Sequence, residues 1–403
     1  MATLSERILD APAGTCVDRK VDRAFVHDGT GVLTLGTFRE IGRDLAYPDR
    51  ISVLFDHLAP ANTSVTADLQ ADLRRFAREH GLSFSDVGEG ICHQLMGEGH
   101  VLPGELVIGA DSHTCTLGAF GAFATGVGAT DMAAIWATGE TWLRVPETIR
   151  VELVGRLGGM AEPKDLALSY VGRLGMDGAT YRALEFVGEG AQTLSIAGRM
   201  TCANLAIEAG AKAGLFYADE VTRRYLAGFG HNVSVQHPEE GEYAREMTID
   251  LGGIEPVVAL PGRVDTVRPV TEVEGTPVDQ VFVGTCTNGR FEDLERLAAL
   301  LQGKRVRVRT IVVPASRRTL LEAVRTGVAE RLLEAGVTIG PPGCGPCLGT
   351  HLGVIGEGEV CLSTANRNFT NRMGVGGEVF LGSVATAAAT ALAGALTSPE
   401  GVP

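Results

Sequence analysis

Three cysteines in this sequence have the spacing expected of metal ligands. Cys344 and Cys347 lie two residues apart in the stretch PPGCGPCLG, directly after a strand-like segment. A Gly- and Pro-rich turn of this kind lets two thiolates point at one metal centre. Cys286 follows another predicted strand, in VFVGTCTNGR, and the ends of neighbouring parallel strands lie side by side. Three thiolates with one open position suit a catalytic iron–sulfur cluster.

Other interpretations of these cysteines remain open at this point. A structural zinc site normally closes with four ligands, and the sequence has no second paired motif. Cys-Gly-Pro-Cys also occurs as a thioredoxin-type redox pair, but that pair lies early in a small fold and follows a tryptophan. Cys286 alone would be interpreted as a small buried apolar side chain. The other cysteines lack such spacing and are predicted to be structural: Cys16, Cys92, Cys115, Cys202 and Cys361.

Histidines and carboxylates occur together in several short, turn-rich segments. They are Asp56 and His57, His93, Asp111 and His113, with Glu208 in NLAIEAGAKAG. A neighbouring carboxylate fixes the tautomer of a histidine and raises its pKa, as general acid catalysis near neutral pH requires. Taken singly, each of these residues is more often hydrogen-bonded for structural reasons, or lies in a loop without a catalytic role. Because the whole chain has only nine histidines, their concentration here predicts proton-transfer residues.

Two arginines in STANRNFTNRMG form a candidate anion site. Arg367 and Arg372 follow the strand-like EVCLST, together with Asn366, Asn368 and Asn371. Guanidinium groups present a planar fork that binds carboxylates through two hydrogen bonds. A solvated loop is the alternative. In a chain of net charge −14, however, this concentration of Arg and Asn near the cysteine pair predicts a receptor for substrate carboxylates.

Alternating strand and helix patterns position these residues and predict an α/β fold with mostly parallel sheets. Predicted strands cover 105–110, 280–285, 306–316, 336–340 and 359–364. Predicted helices cover 129–142, 293–302 and 318–336, with an Ala-rich helix near the C-terminus. The Gly-, Pro- and charge-rich stretch 229–269 predicts a connection between larger units. A second boundary is predicted near 144–155, where a proline interrupts a helical pattern and a strand begins. The two boundaries divide the chain into three predicted domains, at 1–148, 149–262 and 263–403.

Composition narrows the class of protein further. The 403 residues exceed one typical core, and the excess of acidic residues argues against nonspecific binding to nucleic acid or to anionic membranes. The N-terminal residues lack a basic and apolar leader, and no apolar run reaches a membrane span. Eight cysteines are too few for a disulfide scaffold, which leaves thiols free in a reducing compartment. We therefore expect a cytoplasmic enzyme.

Four motifs together resemble those of the aconitase superfamily, most closely its large subunits of the 3-isopropylmalate dehydratase and homoaconitase type. The motifs are GADSHTCTLGAFGAFATGVGATDMA, VGTCTNGRFEDL, PPGCGPCLG and CLSTANRNFTNRMG. The resemblance runs in the family's order from about Asp28 to Arg372. It implies three α/β domains around a 4Fe-4S cluster whose fourth iron is open to substrate and acts as a Lewis acid.

The resemblance also implies a role for each candidate residue. Cys286, Cys344 and Cys347 would hold the cluster, and His57 with Asp56 would protonate the departing hydroxyl. A charged network around the iron-bound water would comprise His93, Asp111, His113 and Glu208. The side chains that orient the substrate, a hydroxy di- or tricarboxylic acid, would be Ser112, Asn204, Asn366, Arg367 and Arg372.

One part of the family's active site is not found in this sequence. The serine that removes the substrate's proton belongs to a mobile swivel domain, which the resemblance places on a separate small subunit. Two departures from the family pattern, PGRVDTVRP at 261–269 and Val32 after the DGTG turn, bear on substrate choice and touch no expected cluster ligand. We therefore expect a heteromer in which the isolated chain shows little dehydratase activity.

The leading functional prediction is a hydro-lyase that isomerises 2- and 3-isopropylmalate in leucine biosynthesis. Homoaconitase or another alkylmalate hydro-lyase is the nearest alternative. A cluster-free RNA-binding or iron-sensing relative is an alternative from another class, and the net negative charge and the intact motifs argue against it. A thiol–disulfide oxidoreductase is the most distant alternative.

Overall fold

The computed structural model describes residues 2–238 and 241–401, which form two compact units. The first unit comprises Met1–Val87, Cys92–Val154 and Ala179–Ile249. The second comprises Gly88–Ile91, Gly155–Gly178 and Asp250–Pro403. The division into domains at 1–148, 149–262 and 263–403 stays a prediction.

Eighteen strands are found in the described residues. They are β1 (Cys16–Lys20), β2 (Arg23–His27), β3 (Ile51–Leu54), β4 (Ser83–Ser85), β5 (Leu106–Gly109), β6 (Phe123–Gly126), β7 (Glu140–Arg144), β8 (Thr148–Val154), β9 (Ala183–Val187), β10 (Ala213–Phe216), β11 (Arg245–Asp250), β12 (Val257–Ala259), β13 (Val267–Pro269), β14 (Gln280–Val283), β15 (Arg309–Val312), β16 (Thr338–Ile339), β17 (Val360–Ser363) and β18 (Glu378–Leu381).

Fourteen α-helices accompany the strands over the same part of the chain. They are α1 (Leu4–Leu9), α2 (Asp28–Ile41), α3 (Ser64–Glu79), α4 (Cys92–Gly97), α5 (Ala129–Thr138), α6 (Pro163–Leu174), α7 (Glu189–Thr193), α8 (Ile196–Leu205), α9 (Glu220–Ala227), α10 (Thr285–Asn288), α11 (Phe291–Leu301), α12 (Arg317–Arg325), α13 (Val328–Glu334) and α14 (Val384–Ala393). None of these helices is long and apolar enough to cross a lipid bilayer.

The first unit contains three sheets. A five-stranded parallel sheet has the order β4-β3-β2-β5-β6, and a four-stranded sheet has the order β10-β9-β8-β11. The third is the antiparallel pair β1-β7. Since β2, β3 and β5 are parallel neighbours, the residues that follow their carboxyl ends lie along one edge of the sheet. His27 ends β2, while Asp56 and Asp111 follow β3 and β5 by two residues each.

The second unit is built on a seven-stranded sheet of order β13-β12-β18-β17-β14-β15-β16. Its central strands are parallel, and β12 and β13 are the antiparallel exceptions. All four side chains of β14 are buried, as expected for a strand covered on both faces. Because β14 and β17 are direct parallel neighbours, the segments carrying Cys286 and Asn366 leave the sheet side by side.

Each unit has its own hydrophobic core. In the first, Phe38 and Phe76 pack against the fully buried Trp136, with both ring centroids 5.7 Å from it. The other tryptophan of the chain, Trp142, lies on β7 of the same unit and is 72% exposed. The core of the second unit joins β14 to the buried face of α11. Burying one such apolar side chain stabilises a fold by about 1.5–3 kcal/mol.

The α/β prediction and the predicted strands are confirmed, but two predicted helices differ from the structure. The helix predicted over 129–142 ends at Thr138, because Gly139 adopts a left-handed φ of 73° and the chain then enters β7. The helix predicted over 318–336 is two helices, α12 and α13, separated by Gly327, whose φ is also 73°. In both places the apolar residues keep a helical spacing on either side of a glycine, but that glycine ends the helix.

The predicted connection at 229–269 contains three strands, β11, β12 and β13. Glu239 and Glu240, within this stretch, lie outside the described residues.

Candidate functional site

Four histidine rings surround the Asp111 carboxylate in the first unit; we call these five residues the Asp111 group. The distances from Asp111 oxygens are 3.1 Å to His93 Nε2, 3.6 Å to both His27 Nε2 and His57 Nε2, and 3.7 Å to His113 Nδ1. Burial alone would raise the pKa of Asp111, but His93 and His113 hold it well below its ordinary value. Asp111 is therefore a fixed negative charge among rings that can carry protons.

Asp56 and His57 form a hydrogen-bonded pair within this region. His57 Nδ1 lies 2.7 Å from Asp56 Oδ1, and the second oxygen of Asp56 accepts from the backbone N–H of Cys92 at 2.7 Å. Asp56 is 1% exposed, and although burial raises its pKa, the His57 ring lowers it below the usual value. An ionised Asp56 holds the Nδ1 proton of His57 and leaves Nε2 to exchange a proton with a ligand.

A second buried carboxylate, Asp28, shapes the loop that carries this pair. Its oxygens accept the backbone N–H groups of Asp56, His57 and Leu58 and the side-chain amide of Gln70. His27, Asp28, Asp56 and His57 offer ligand atoms within 4.8 Å of one another, a spacing that a metal ion could use. However, both carboxylates already accept several N–H groups, which favours a hydrogen-bonded scaffold over a metal site.

His93, His113 and Glu208 extend the network deeper into the first unit. His113 Nε2 lies 2.8 Å from Glu208 Oε1, which joins the 3₁₀-helix Ser112–Phe120 to the segment after α8. His93 is 1% exposed; burial lowers its pKa, and Asp111 opposes that shift. These contacts connect Glu208, through His113, to Asp111.

The other two substrate residues predicted in this unit differ in exposure. Ser112 is exposed and lines a cavity together with Gly128 and Lys212. Asn204 is fully buried, and its side-chain amide donates to the Thr116 hydroxyl at 2.7 Å. Ser112 is thus accessible to a ligand, while Asn204 holds the helix that follows Asp111.

His27 belongs to the Asp111 group but was not identified from the sequence. Its ring stacks on His57 with a centroid separation of 3.7 Å, and its Nδ1 accepts the backbone N–H of Gly29 at 3.1 Å. The available signal was its position directly before Asp28, at the end of the short apolar run that forms β2.

In the second unit, Cys286 lies in a strained turn after β14. The preceding Thr285 has a φ of 69°, which is costly for a β-branched residue, and strain of this kind is typical of functional sites. Both guanidinium arms of Arg290 donate to carbonyls of this turn, those of Cys286 and Thr287. Arg290 is 6% exposed, and Asp293 accepts its backbone N–H at 2.9 Å. The backbone around Cys286 is therefore fixed by several contacts.

Cys344 and Cys347 lie at the two ends of a single tight turn. The backbone N–H of Cys347 donates to the Cys344 carbonyl at 3.3 Å. Between them, Gly345 has a φ of 57°, and an added Cβ would come within 3.0 Å of Val313. Cys344 also packs with Cys286 in one small buried group. The three cysteines, hereafter the cysteine triad, are 7–8% exposed.

Asn366 joins two sulfurs of the cysteine triad. Its Nδ2 lies 3.4 Å from Cys286 Sγ, and its Oδ1 lies 3.8 Å from Cys347 Sγ. Arg372 Nη2 lies 3.8 Å from Cys347 Sγ, while Arg372 Nε is buried with no hydrogen-bond partner among the described residues. Arg367 lies near the Phe369 ring, with its guanidinium carbon 5.9 Å from the ring centroid. The predicted thiol and arginine residues are thus neighbours within one unit.

Lys164 is a further buried amino group near the cysteine triad, and no sequence pattern pointed to it. It is fully buried, and Nζ donates to the carbonyls of Thr364 and Ala365 at 2.7 and 2.6 Å. Burial lowers its pKa to about 7, against the opposing effect of the Cys286 and Cys347 sulfurs. A buried amino group and the Arg372 guanidinium therefore both lie close to the triad sulfurs.

The two sets of side chains can do different chemistry. The Asp111 group, with Asp56 and Glu208, can hold and transfer protons. The cysteine triad offers thiol sulfurs, ligands that select zinc, copper(I) or iron–sulfur centres, and Arg372 offers an unused donor for an anion. The predicted residues thus form two sets, one in each unit.

Comparison with known proteins identifies the family. The Aconitase family (aconitate hydratase) matches residues 4–276 and 268–394. A probable methanogen homoaconitase large subunit of Methanosarcina mazei is 54% identical over 385 residues, covering 94% of this chain and 98% of the relative. The 3-isopropylmalate dehydratase large subunit 1 of Methanopyrus kandleri is 49% identical over 413 residues and 99% of each chain.

A solved structure agrees with the fold. Thermococcus kodakaraensis aconitase X in its holo-form covers 87% of this chain and 84% of its own, with a TM-score of 0.51 and 13% identity. At that identity the likeness concerns the fold alone. Together with the matched motifs, the full-length relatives establish that this chain belongs to the aconitase family.

Proposed function

We propose that this chain is the large subunit of an iron–sulfur hydro-lyase that interconverts 2- and 3-isopropylmalate by dehydration and rehydration. Membership of the aconitase family implies an iron–sulfur cofactor, and the full-length dehydratase relatives support the reaction class. The observation that carries the proposal is the cysteine triad packed beside Asn366 and Arg372. We place the enzyme in the cytoplasm, whose reducing conditions keep thiols free.

In this proposal Cys286, Cys344 and Cys347 hold a 4Fe-4S cluster. The ligand set fits, because it consists of three thiol sulfurs in turns of the second unit. Beside it, the buried Arg372 Nε–H has no hydrogen-bond partner among the described residues and could donate to an anion. Lys164 adds a buried amino group within electrostatic reach of two of the sulfurs. When bound, the cluster supplies an open iron that acts as a Lewis acid toward substrate oxygens.

The remaining residues bind the substrate and handle its protons. Arg367 and Arg372 provide guanidinium groups for the two carboxylates, and Asn366 orients one of them. His57 Nε2 delivers a proton to the departing hydroxyl, because Nδ1 is held by the ionised Asp56. Asp111, His93, His113 and Glu208 form the charged network beside His57, around the iron-bound water. Ser112 and Asn204 complete the proposed substrate contacts.

A partner is part of the proposal. The names of the relatives include the words large subunit, which implies that a small subunit exists. We propose that this small subunit is a swivel domain that supplies the serine for removal of the substrate's proton.

Homoaconitase activity is the second candidate, because the 54% identical relative carries that name. The two reactions share the hydroxy-acid centre and differ in the side chain beside it. A direct comparison of 2-isopropylmalate and homocitrate, with the small subunit present, discriminates between them. A larger kcat/KM for homocitrate would replace the leading substrate and keep the reaction class.

The cluster assignment is tested on the full chain. Anaerobic reconstitution with iron and sulfide should give a broad absorption at roughly 400 nm, from sulfur-to-iron charge transfer. Cys286→Ser, Cys344→Ser and Cys347→Ser should each remove most of that band. Cys16→Ser, at an exposed position on β1, is the matched control and should keep it. A band that survives all three triad substitutions would refute the assignment.

A further inference from the structure

The segment after β17 is held by an unusual set of contacts. Thr364 Oγ1 accepts the backbone N–H of Gly284 at 3.0 Å, which joins the end of β17 to the turn before Cys286. The Thr364 carbonyl accepts from the Thr287 hydroxyl and from Lys164 Nζ. Thr364 is therefore the point at which the two segments bearing Cys286 and Asn366 are joined.

Lys164 contributes to this joint from a distant part of the sequence. It lies in the first turn of α6, and its Nζ reaches the carbonyls of both Thr364 and Ala365. Burying an amino group is unfavourable unless it is hydrogen-bonded, so a fully buried lysine at this position needs a compensating contact. Both observed contacts are made to the backbone directly before Asn366.

These contacts of Lys164 affect the geometry of Asn366. Its carboxamide lies between Cys286 Sγ and Cys347 Sγ, and the next residue is Arg367. A carbonyl held at 2.6 Å on Ala365 fixes the peptide plane from which Asn366 projects. Thr287 and Gly284 act on Thr364, and the backbone N–H of Ala365 donates to the Ser363 hydroxyl at 3.0 Å, whereas the contact from Lys164 is made to the Ala365 carbonyl.

We propose that Lys164 is a positioning residue that holds the Thr364–Ala365 backbone so that Asn366 meets the cysteine triad and the cluster is retained. This inference rests on the proposed function for its cluster part only. The contact between Lys164 and the Thr364 and Ala365 carbonyls is a property of the chain itself, and its effect can be measured without metal.

The test compares Lys164→Met, which keeps length and removes the donor, with Lys164→Gln, which retains an uncharged donor. Lys212→Met is the matched control, because Lys212 is another largely buried lysine and lies in the first unit over the Tyr181 ring. Two quantities are measured on the full chain. They are amide hydrogen exchange over residues 363–367, and the rate of iron release to a chelator after anaerobic reconstitution.

Lys164→Met should speed exchange over 363–367 by about tenfold, as expected for loss of a buried hydrogen bond. Iron release should accelerate by a similar factor, and the visible circular dichroism of the cluster should change. Lys164→Gln should restore part of each effect, a rescue that a merely space-filling role would not produce. Lys212→Met should match the wild type in both measurements.

Unchanged exchange and iron release in Lys164→Met, or equal changes in Lys212→Met, would overturn the inference. If Lys164→Met does not fold, Lys164→Gln is compared directly with the wild type and should show a smaller increase in both rates, whereas rates equal to those of the wild type would overturn the inference. Failure of the wild-type chain to take up iron would overturn the proposed function instead. The exchange measurement would still decide whether Lys164 holds the Thr364–Ala365 backbone.

Discussion

Asp56→Asn is the substitution that most directly tests the proposed proton transfer. In the structure the two Asp56 oxygens accept from His57 Nδ1 and from the Cys92 backbone, each at 2.7 Å. An asparagine has one acceptor oxygen, and the Cys92 N–H can only be matched by that oxygen. The amide nitrogen then faces His57 Nδ1, which must accept, so the neutral ring carries its proton on Nε2 and resists becoming charged.

The size of the effect follows from these contacts. A positioned general acid contributes about 10²–10⁴ to the rate, so kcat should fall by at least about 10²-fold. Losing the charged contact to His57 should reduce the free energy of unfolding by ~1.5–3 kcal/mol. Because the pKa of Asp56 is lowered in the fold, this stabilisation is present above about pH 4 and is lost as the pH falls through the lowered value.

The assay is steady-state dehydration by the chain with its small subunit, together with chemical unfolding at several pH values. Asp22→Asn is the matched control, because Asp22 accepts the Leu106 N–H at 2.8 Å and has no part in the proposed proton transfer. A kcat within about threefold of the wild type, with the fold intact, would refute the role of the Asp56–His57 pair. A similar loss of kcat in Asp22→Asn would show that the effect is general.

Four further outcomes are expected. Burial raises the pKa of Asp165 to about 8, so its proton is lost on unfolding above about pH 4; Asp165→Asn should flatten the fall in thermal stability between pH 5 and 8. Gly345→Ala should lower the free energy of unfolding by ~1–2 kcal/mol and reduce iron uptake, whereas Gly303→Ala, with a similar positive φ but open space, should affect stability alone. Arg372→Lys should lower kcat/KM by about 10–100-fold in substrate titrations. The isolated chain should show little dehydratase turnover until the small subunit is added.

The elements that carry the site were predictable from local patterns. The apolar runs that became β5, β14 and β17 are short and bounded by Gly or polar residues, so period and length together indicated strands. The division of the 318–336 helix depended instead on one glycine, Gly327, whose apolar neighbours continue the helical spacing on both sides. Local pattern could not show that its backbone would turn left-handed.

The site was predictable where chemically capable residues follow predicted strands, as for Asp111 and Cys286, while Asp56 was predicted from its neighbour His57. His27 was missed because a single histidine at a strand end gives a weak signal until its neighbours in space are known. Lys164 was missed for a stronger reason. Its partners lie about 200 residues later in the sequence, and a lysine at the start of an amphipathic helix is normally solvated.

The positions of the two tryptophans give the chain a selective optical probe. Trp136 is packed in the core and Trp142 is exposed on β7, and both belong to the first unit. Indole emission therefore reports the melting of the unit that holds the Asp111 group, while far-ultraviolet circular dichroism reports helices of both units. Denaturation curves from the two signals should coincide for a single cooperative transition and separate if the cysteine-bearing unit unfolds on its own.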